Sequence, residues 1–255
     1  MGQKNKRQIA EKLGNIVLIP LVIMTALKAC SLIEALFSVI EDIISGIPFA
    51  YLIRILFNFK GFGGYLFICF GYVLAYGLLT LCVAKKKKNI LLLGGAFVLL
   101  IVQFVEFIRG FFTYTYFVND QDSFNVLTVL PRLVGLLIPF TLLVLVLAYF
   151  LKVPEKTKKL IGKAWFIPAL FVFLQDVMVW IVSILCMLVG WEWSSGILSY
   201  SEAYGYDFLD KLAFLFSSSQ FEYFTFHLLT VVLSILVMAG LGAYLWGKKK
   251  ESIEE

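Results

Sequence analysis

Six charged side chains interrupt stretches of this sequence that are otherwise apolar: Lys28, Glu34, Glu106, Arg109, Arg132 and Asp176. Gln103 and Gln175 share those stretches, and the one histidine, His227, stands near the end of another. A charge in hydrocarbon is costly, so each must face protein or water, or reach an interface. Depth decides which. Counted along a helix from the nearest lysine cluster, Asp176 lies roughly 20 Å from Lys163, Gln103 roughly 22 Å from Lys88 and Lys28 roughly 24 Å from Lys12. These three, with Gln175, fall between the midplane and the outer leaflet. Glu34, Glu106, Arg109, Arg132 and His227 come out at roughly 27–33 Å, where a long side chain reaches the headgroups at little cost.

The signs balance, with Lys28, Arg109 and Arg132 against Glu34, Glu106 and Asp176. Helical spacing groups them further. Gln103, Glu106, Arg109, Gly110 and Thr113 share one helix face, and Lys28, Ser31, Glu34 and Ser38 share another. One functional reading is an outward-facing polar vestibule, with Asp176 and Lys28 at its floor and Gln103, Glu106, Arg109 and Arg132 along its walls. Such a site would bind an ion, a proton or a polar substrate. The structural reading is a set of interhelical ion pairs and hydrogen bonds that hold a bundle in register, with Glu106–Arg109 at i,i+3 a local pair. For the set as a whole the structural reading is preferred. Asp176 is the exception, being the deepest acid and having no opposite charge at i±3 or i±4.

Other chemistries find no support. A single histidine cannot anchor zinc alone, and no H-E-x-x-H exists, so His227 is read as a boundary residue. The chain has no Walker-type lysine motif, no kinase signature, no G-x-S-x-G and no repeated His-acid pattern. No enzymatic activity, metal or cofactor is therefore expected, and chemical energy has to come from a partner or an ion gradient. Cys30, Cys69, Cys82 and Cys186 all fall in apolar runs and form no C-x-x-C pair, so they read as small buried fillers.

The elements that must hold these residues are six apolar runs, near 14–40, 64–84, 90–118, 129–151, 160–190 and 223–247. Each supplies the roughly 20 residues that cross about 30 Å of hydrocarbon. With 61% apolar residues, 15% charged and a mean hydropathy of +0.91, this is a bilayer protein. Basic residues sort by side. Lys4, Lys6, Arg7 and Lys12, the lysines at 85–88, those at 152, 156, 158, 159 and 163, and those at 248–250 hold 16 of the 22. If each run crosses once, all four clusters fall on one side, the cytoplasmic one. The net charge of +5 belongs to those flanks, so it implies anionic lipid at the inner face and no nucleic acid. Nine of the 17 acids lie on the opposite flanks.

Two segments on the acidic side have their own character. Residues 43–59 are apolar but broken by Gly46, Pro48 and Arg54, and a full span there would put the lysines at 85–88 outside. An interfacial or re-entrant helix is expected instead. Residues 191–222 carry Trp191, Trp193, Tyr200, Tyr204 and Tyr206, aromatic rings suited to headgroup depth. Within them, residues 207–216 set Phe208, Leu209, Leu212, Ala213, Leu215 and Phe216 along an apolar face, with Asp207 and Lys211 opposite. That predicts a short surface helix. Gly71-xxx-Ala75 and Ala239-xxx-Ala243-xxx-Gly247 predict close helix contacts. Gly14-x-x-x-x-Ile19-Pro20 and Gly162-x-x-x-x-Ile167-Pro168 share a spacing, a short echo read as coincidence. The first run resembles a secretion signal but is read as an uncleaved anchor, since apolar sequence resumes after Cys30.

The expected fold is all-α: a polytopic integral membrane bundle of six transmembrane helices, both termini cytoplasmic, in one domain over residues 1–255, with a short outer interfacial helix. It belongs in the cell membrane. The expected function is a transport permease subunit working with a partner such as an ATPase, or as a homodimer. The alternatives are a membrane sensor or assembly or immunity factor acting through residues 191–222, and an ion-gradient-driven carrier using Asp176. The topology has a direct check. Reporter fusions after Lys88 and Lys159 should read cytoplasmic, and fusions near Asp122 and Ser195 external. An external reading after Lys88 would make residues 43–59 a span and reverse part of the orientation.

Overall fold

The computed structural model describes residues 3–48, 51, 53, 58, 62–85, 90–112, 133–164, 166–189, 191–194, 197–200, 205–217 and 219–246. In chain order these form α1 (Gln3–Ile44), α2 (Phe62–Ala84), α3 (Ile90–Phe112), α4 (Leu137–Phe150), α5 (Glu155–Ala164) and α6 (Phe166–Val189). A hairpin of β1 (Trp191–Ser194) and β2 (Ile197–Tyr200) follows, then α7 (Phe208–Ser217) and α8 (Ser219–Trp246). Six stretches are long and apolar enough to cross a membrane: Ile16–Ile44, Gly63–Ala84, Ile90–Arg109, Leu133–Phe150, Phe166–Val189 and Thr225–Gly242. The chain is a multi-pass membrane protein, and a helix is the form in which each crossing satisfies its own backbone. Pro139 lies in the first turn of α4 and Pro154 directly precedes α5, where a missing N–H leaves no bond unmade. Pro20 lies inside α1 and gives up one backbone bond there.

Five helices close a ring. α1 packs on α2, α2 on α3, α3 on α4, α4 on α8, and α8 back on α1, while α6 lies outside against α8 and α4. α2 is the best buried crossing, through Ile68, Tyr72, Ala75, Tyr76, Leu79, Cys82 and Val83 at helical spacing. Leu92, Ala96, Leu99 and Val102 of α3 and Val17, Leu21 and Met24 of α1 meet it. From α8 come Val237, Met238, Leu241 and Leu245. α6 gives the core little beyond Ala169 and Val172 and shows most of its apolar surface outward, as a lipid-facing helix does.

Side-chain registers fix the directions. Lys28 meets Tyr72 and Thr25 meets Thr80, so α1 and α2 are antiparallel. Gly71 faces Val102 and Gly95 faces Leu79, so α2 and α3 are too. Asp176 meets His227 and Trp180 meets Thr225, which sets α6 against α8. Val17 abuts Gly240. The start of α1, the end of α2, the start of α6 and the end of α8 therefore gather at one end of the bundle. Every basic cluster flanks that end, which is called the basic end below.

Several details depart from the sequence reading. The fifth run is helical on both sides of residue 165, which lies outside the described residues: residues 155–164 are α5, and α6, from Phe166, carries the apolar crossing. Glu155 and five lysine and threonine positions make α5 too polar to enter hydrocarbon. The described residues of both copies of the G-x-x-x-x-I-P echo are helical. Residues 191–200 form an antiparallel hairpin, Trp191 opposite Tyr200 and Ser194 opposite Ile197, which no pattern had suggested. On the last crossing a close approach is at Gly240, against Val17. Ala243's side chain and Gly247 lie outside what is described. α7 forms as expected, but only Leu215 is buried in the protein; Phe208, Leu209 and Phe216 stand exposed. α1 ends at a turn in which the Ser45, Gly46 and Ile47 amides bond back to Glu41, Ile43 and Asp42. Gly46 takes φ +78° there, a left-handed conformation that suits glycine. Tyr51 and Ile53 are helical, and the rest of residues 49–57 lies outside the described residues.

Two glycines hold the ring closed. A Cβ at Gly71 would collide with Val102, and one at Gly240 with Val17, whereas Gly77 has open space. Gly71→Ala and Gly240→Ala should each destabilise the protein by about 1–3 kcal/mol, read as a lower Tm in detergent. Gly77→Ala should leave Tm unchanged or raise it by the equivalent of about 0.5–1 kcal/mol, because alanine favours helix. Equal behaviour of all three would mean that these contacts do not set the packing.

Candidate functional site

The polar residues of the crossings sort into two groups. The first joins α1, α2 and α3. Lys28 of α1 places its Nζ 4.5 Å from the ring centroid of Tyr72, which is itself buried. A cation over an aromatic face is held by the ring's quadrupole, worth about 0.5–2 kcal/mol as water is excluded. The Tyr72 hydroxyl donates to Glu106 Oε2 of α3 at 2.5 Å. Lys28, Tyr72 and Glu106 thus form a series in which one phenol mediates between a cation and a carboxylate on different helices. Gln103 reaches the same hydroxyl. Cys69, one turn away on α2, bonds to Tyr65 and lies within electrostatic range of Lys28, Glu106 and Arg109. Nearer the basic end, Thr25 and Thr80 meet at 3.0 Å while each also bonds the carbonyl four residues before it.

The second group joins α6 and α8. Asp176 is 7% exposed, the one charged side chain buried among the described residues. It shares a face of α6 with Ala169 and Val172, at i−7 and i−4, so the stripe that docks α6 carries the acid inward. Its Oδ1 lies 3.5 Å from His227 Nε2, and the histidine side chain is 54% exposed. This is an ion pair when the imidazole holds a proton. One turn further, Trp180 Nε1 donates to Thr225 Oγ1 at 3.2 Å and stacks near Phe221, which in turn meets Phe216 of α7. Aromatic contacts and one hydrogen bond thus cap the pair on the side away from the basic end.

Depth follows from the helix ends. Since α6 starts at Phe166, Asp176 stands ten residues in, roughly 15 Å and near the midplane. His227, read from sequence as a boundary residue, stands two residues inside the crossing Thr225–Gly242 and meets Asp176 from there. Lys28 and Asp176 face different partners on different helices, so the floor imagined from sequence is two sites. Glu34 and Ser38 are exposed, because the crossing Ile16–Ile44 has 29 residues, roughly 43 Å of helix, and its last turns outrun the hydrocarbon. Arg132 and Thr113 lie outside the described residues. Among the described residues no three of His, Cys, Asp and Glu gather as a metal site. Tyr72 was not singled out in the sequence because nothing in its spacing sets it apart from the other tyrosines.

Compared with protein-family models, with curated proteins and with solved structures, the chain matches none. Its reading rests on its own geometry.

The Lys28–Tyr72–Glu106 series can be tested atom by atom. Tyr72→Phe removes the donor to Glu106 and should cost about 1–2 kcal/mol of stability in detergent. Tyr72→Leu also removes the ring beneath Lys28 and should cost more. Glu106→Gln combined with Tyr72→Phe should be no worse than the poorer single variant, since both break one bond. Additive losses, or identical Tm values for the Phe and Leu variants, would show that the series contributes nothing.

Proposed function

We propose that this chain is a transport protein of the cell membrane, and that the Asp176–His227 pair carries its charge-dependent step. One observation supports this most: a buried carboxylate near mid-crossing whose partner is an imidazole instead of a fixed cation. A lysine or arginine would lock the acid in one charge state. An imidazole gains and loses a proton in the physiological range, so the pair can form and dissolve. Intramembrane acids and histidines of this kind serve proton and ion pathways. The exposed part of His227 leaves the pair reachable from outside the α6–α8 contact, while Ala169 and Val172 keep it dry below.

In this reading the basic end is cytoplasmic, both termini lie inside, and the hairpin and α7 lie outside. The exposed Phe208, Leu209 and Phe216 then rest in lipid at the outer surface. The driving force is an ion gradient acting through Asp176. A second reading, a permease subunit driven by a partner ATPase, draws on α5, which sets exposed Leu160 among lysines at the basic end, where a coupling surface would be needed.

Proteoliposomes under an imposed pH gradient, with candidate ions and small solutes added in turn, provide the test. Wild-type protein should move protons in at least one condition. Asp176→Asn and His227→Gln should abolish that flux while Asp176→Asn still purifies as a folded monodisperse protein. Flux retained in Asp176→Asn would remove the pair from the mechanism. An ATPase that co-purifies, with transport dependent on nucleotide and indifferent to the pH gradient, would establish the second reading. A chain that moves nothing in either format would be a sensor or assembly factor, its working surface the hairpin and α7.

A further inference from the structure

The faces that the ring helices turn inward change character at one level. On α1 the buried residues Val17, Leu21 and Met24 are continued at the same spacing by Lys28, which is half-buried. On α3 the buried series Leu92, Ala96 and Leu99 is continued by Gln103, half-buried, and Glu106, exposed. On α8, counted from the basic end, Leu245, Leu241 and Met238 give way to Ser234 and Thr230, both half-buried. The registers bring these changes together. Eleven residues from the Val17–Gly240 contact, α1 has reached Lys28 and α8 has reached Leu229, beside Thr230. Lys28 meets Tyr72 and Gln103 reaches the Tyr72 hydroxyl, so α2 and α3 join at the same height. One turn nearer the basic end, the Tyr76 hydroxyl bonds to Ser234. The interior of the ring is thus packed with apolar side chains toward the basic end and lined with polar ones toward the other.

Two charges among these polar groups have capacity left. Lys28 lies over the Tyr72 ring, a contact that engages its charge but none of its N–H donors, and it makes no hydrogen bond or ion pair among the described residues. Glu106 accepts the Tyr72 hydroxyl on Oε2 and makes no ion pair among the described residues. The tyrosine ring keeps the two apart, ammonium over its face and carboxylate at its hydroxyl edge, so neither neutralises the other. Both stand inside crossings, where an unmatched charge is costly. A lone anion would serve Lys28 but bring a like charge near Glu106, and a lone cation would do the reverse. One molecule carrying both signs serves both. We propose that the polar half of the ring interior binds a small zwitterion, its carboxylate on Lys28 and its ammonium on Glu106, with Gln103 beside them. The phenol link braces the helices, and the open sides of the two charges bind. His227 follows Thr230 on the same stripe of α8. On the transport reading, on which the occupant's role as a substrate rests, this zwitterion is the solute that the proton on the Asp176–His227 pair drives.

Purified full-length protein in detergent, titrated with glycine, L-leucine and γ-aminobutyrate, tests the site by its Tm. At least one of the three should raise Tm saturably, as a ligand of the native state does by mass action. The separated charges, supplied as propionate or as ethylammonium at the same concentration and ionic strength, should do markedly less. Lys28→Met and Glu106→Gln should each abolish the saturable shift. Where a charge variant fails to fold, Gln103→Ala leaves both charges in place and should raise the half-saturating concentration by about three- to tenfold, the loss of one hydrogen bond. No saturable shift from any of the three zwitterions, an equal shift from propionate or ethylammonium, or an unchanged shift in these variants would overturn the site. Binding is read without flux, which separates the two claims. A zwitterion that binds to a chain moving nothing upholds the site and removes the transport reading. Proton flux that depends on Asp176, with none of the zwitterions bound, does the opposite.

Discussion

Hydrocarbon offers no hydrogen bonds, and nearly everything in this protein follows from that. Backbone groups must be satisfied within each crossing, which makes the crossings helical. Charged side chains must leave, or find a partner among the helices. Most of them leave: 16 of 22 basic residues sit in clusters beyond one end of the bundle. The few that stay are met by protein. Lys28 lies over Tyr72, Glu106 accepts the Tyr72 hydroxyl, and Asp176 meets His227. Without water to drive apolar faces together, the helices are held by shape. This explains why bare backbone at Gly71 and Gly240 receives Val102 and Val17.

The two polar groups differ in what surrounds them, and that difference assigns their roles. Lys28, Tyr72 and Glu106 link three members of the closed ring, so their contacts brace helices already committed to one another. Asp176 sits on α6, which lies outside the ring and is the least buried of the six crossings, with Ala169, Val172 and Asp176 on the stripe that it turns inward. An apolar groove beneath the Asp176–His227 pair, between Phe166 and Phe173 of α6 and Val232 and Leu236 of α8, leaves that docking incomplete within the chain itself.

The number of crossings and their approximate limits were legible in the sequence because hydropathy and length are properties of single segments. So was the depth of Asp176, which follows from counting residues. Partnerships were not legible. Whether Asp176 meets Lys28 or His227 depends on which helices adjoin and on their register, and neither leaves a mark within a window of one helix. His227 was legible as a residue near the start of its crossing, but its contact with Asp176 was not. The close approach at Gly240 was not legible either, since several small residues crowd that helix and its contact with Val17 depends on the neighbouring helix. The β1–β2 hairpin was masked by aromatic residues that equally suit a headgroup-level loop.

The central claim is that Asp176 and His227 matter to the protein as a pair, across the α6–α8 contact. Exchanging them isolates that claim, since the double variant Asp176→His with His227→Asp restores one acid and one imidazole in reversed positions. Each single change puts two like groups together, two carboxylates or two imidazoles, and should lower the yield and the Tm of the purified protein. The double exchange should recover a large part of both. Recovery would show that the pairing itself carries the stability of the contact. A double variant as unstable as the sum of its single changes would contradict the pair and leave Asp176 with some other partner.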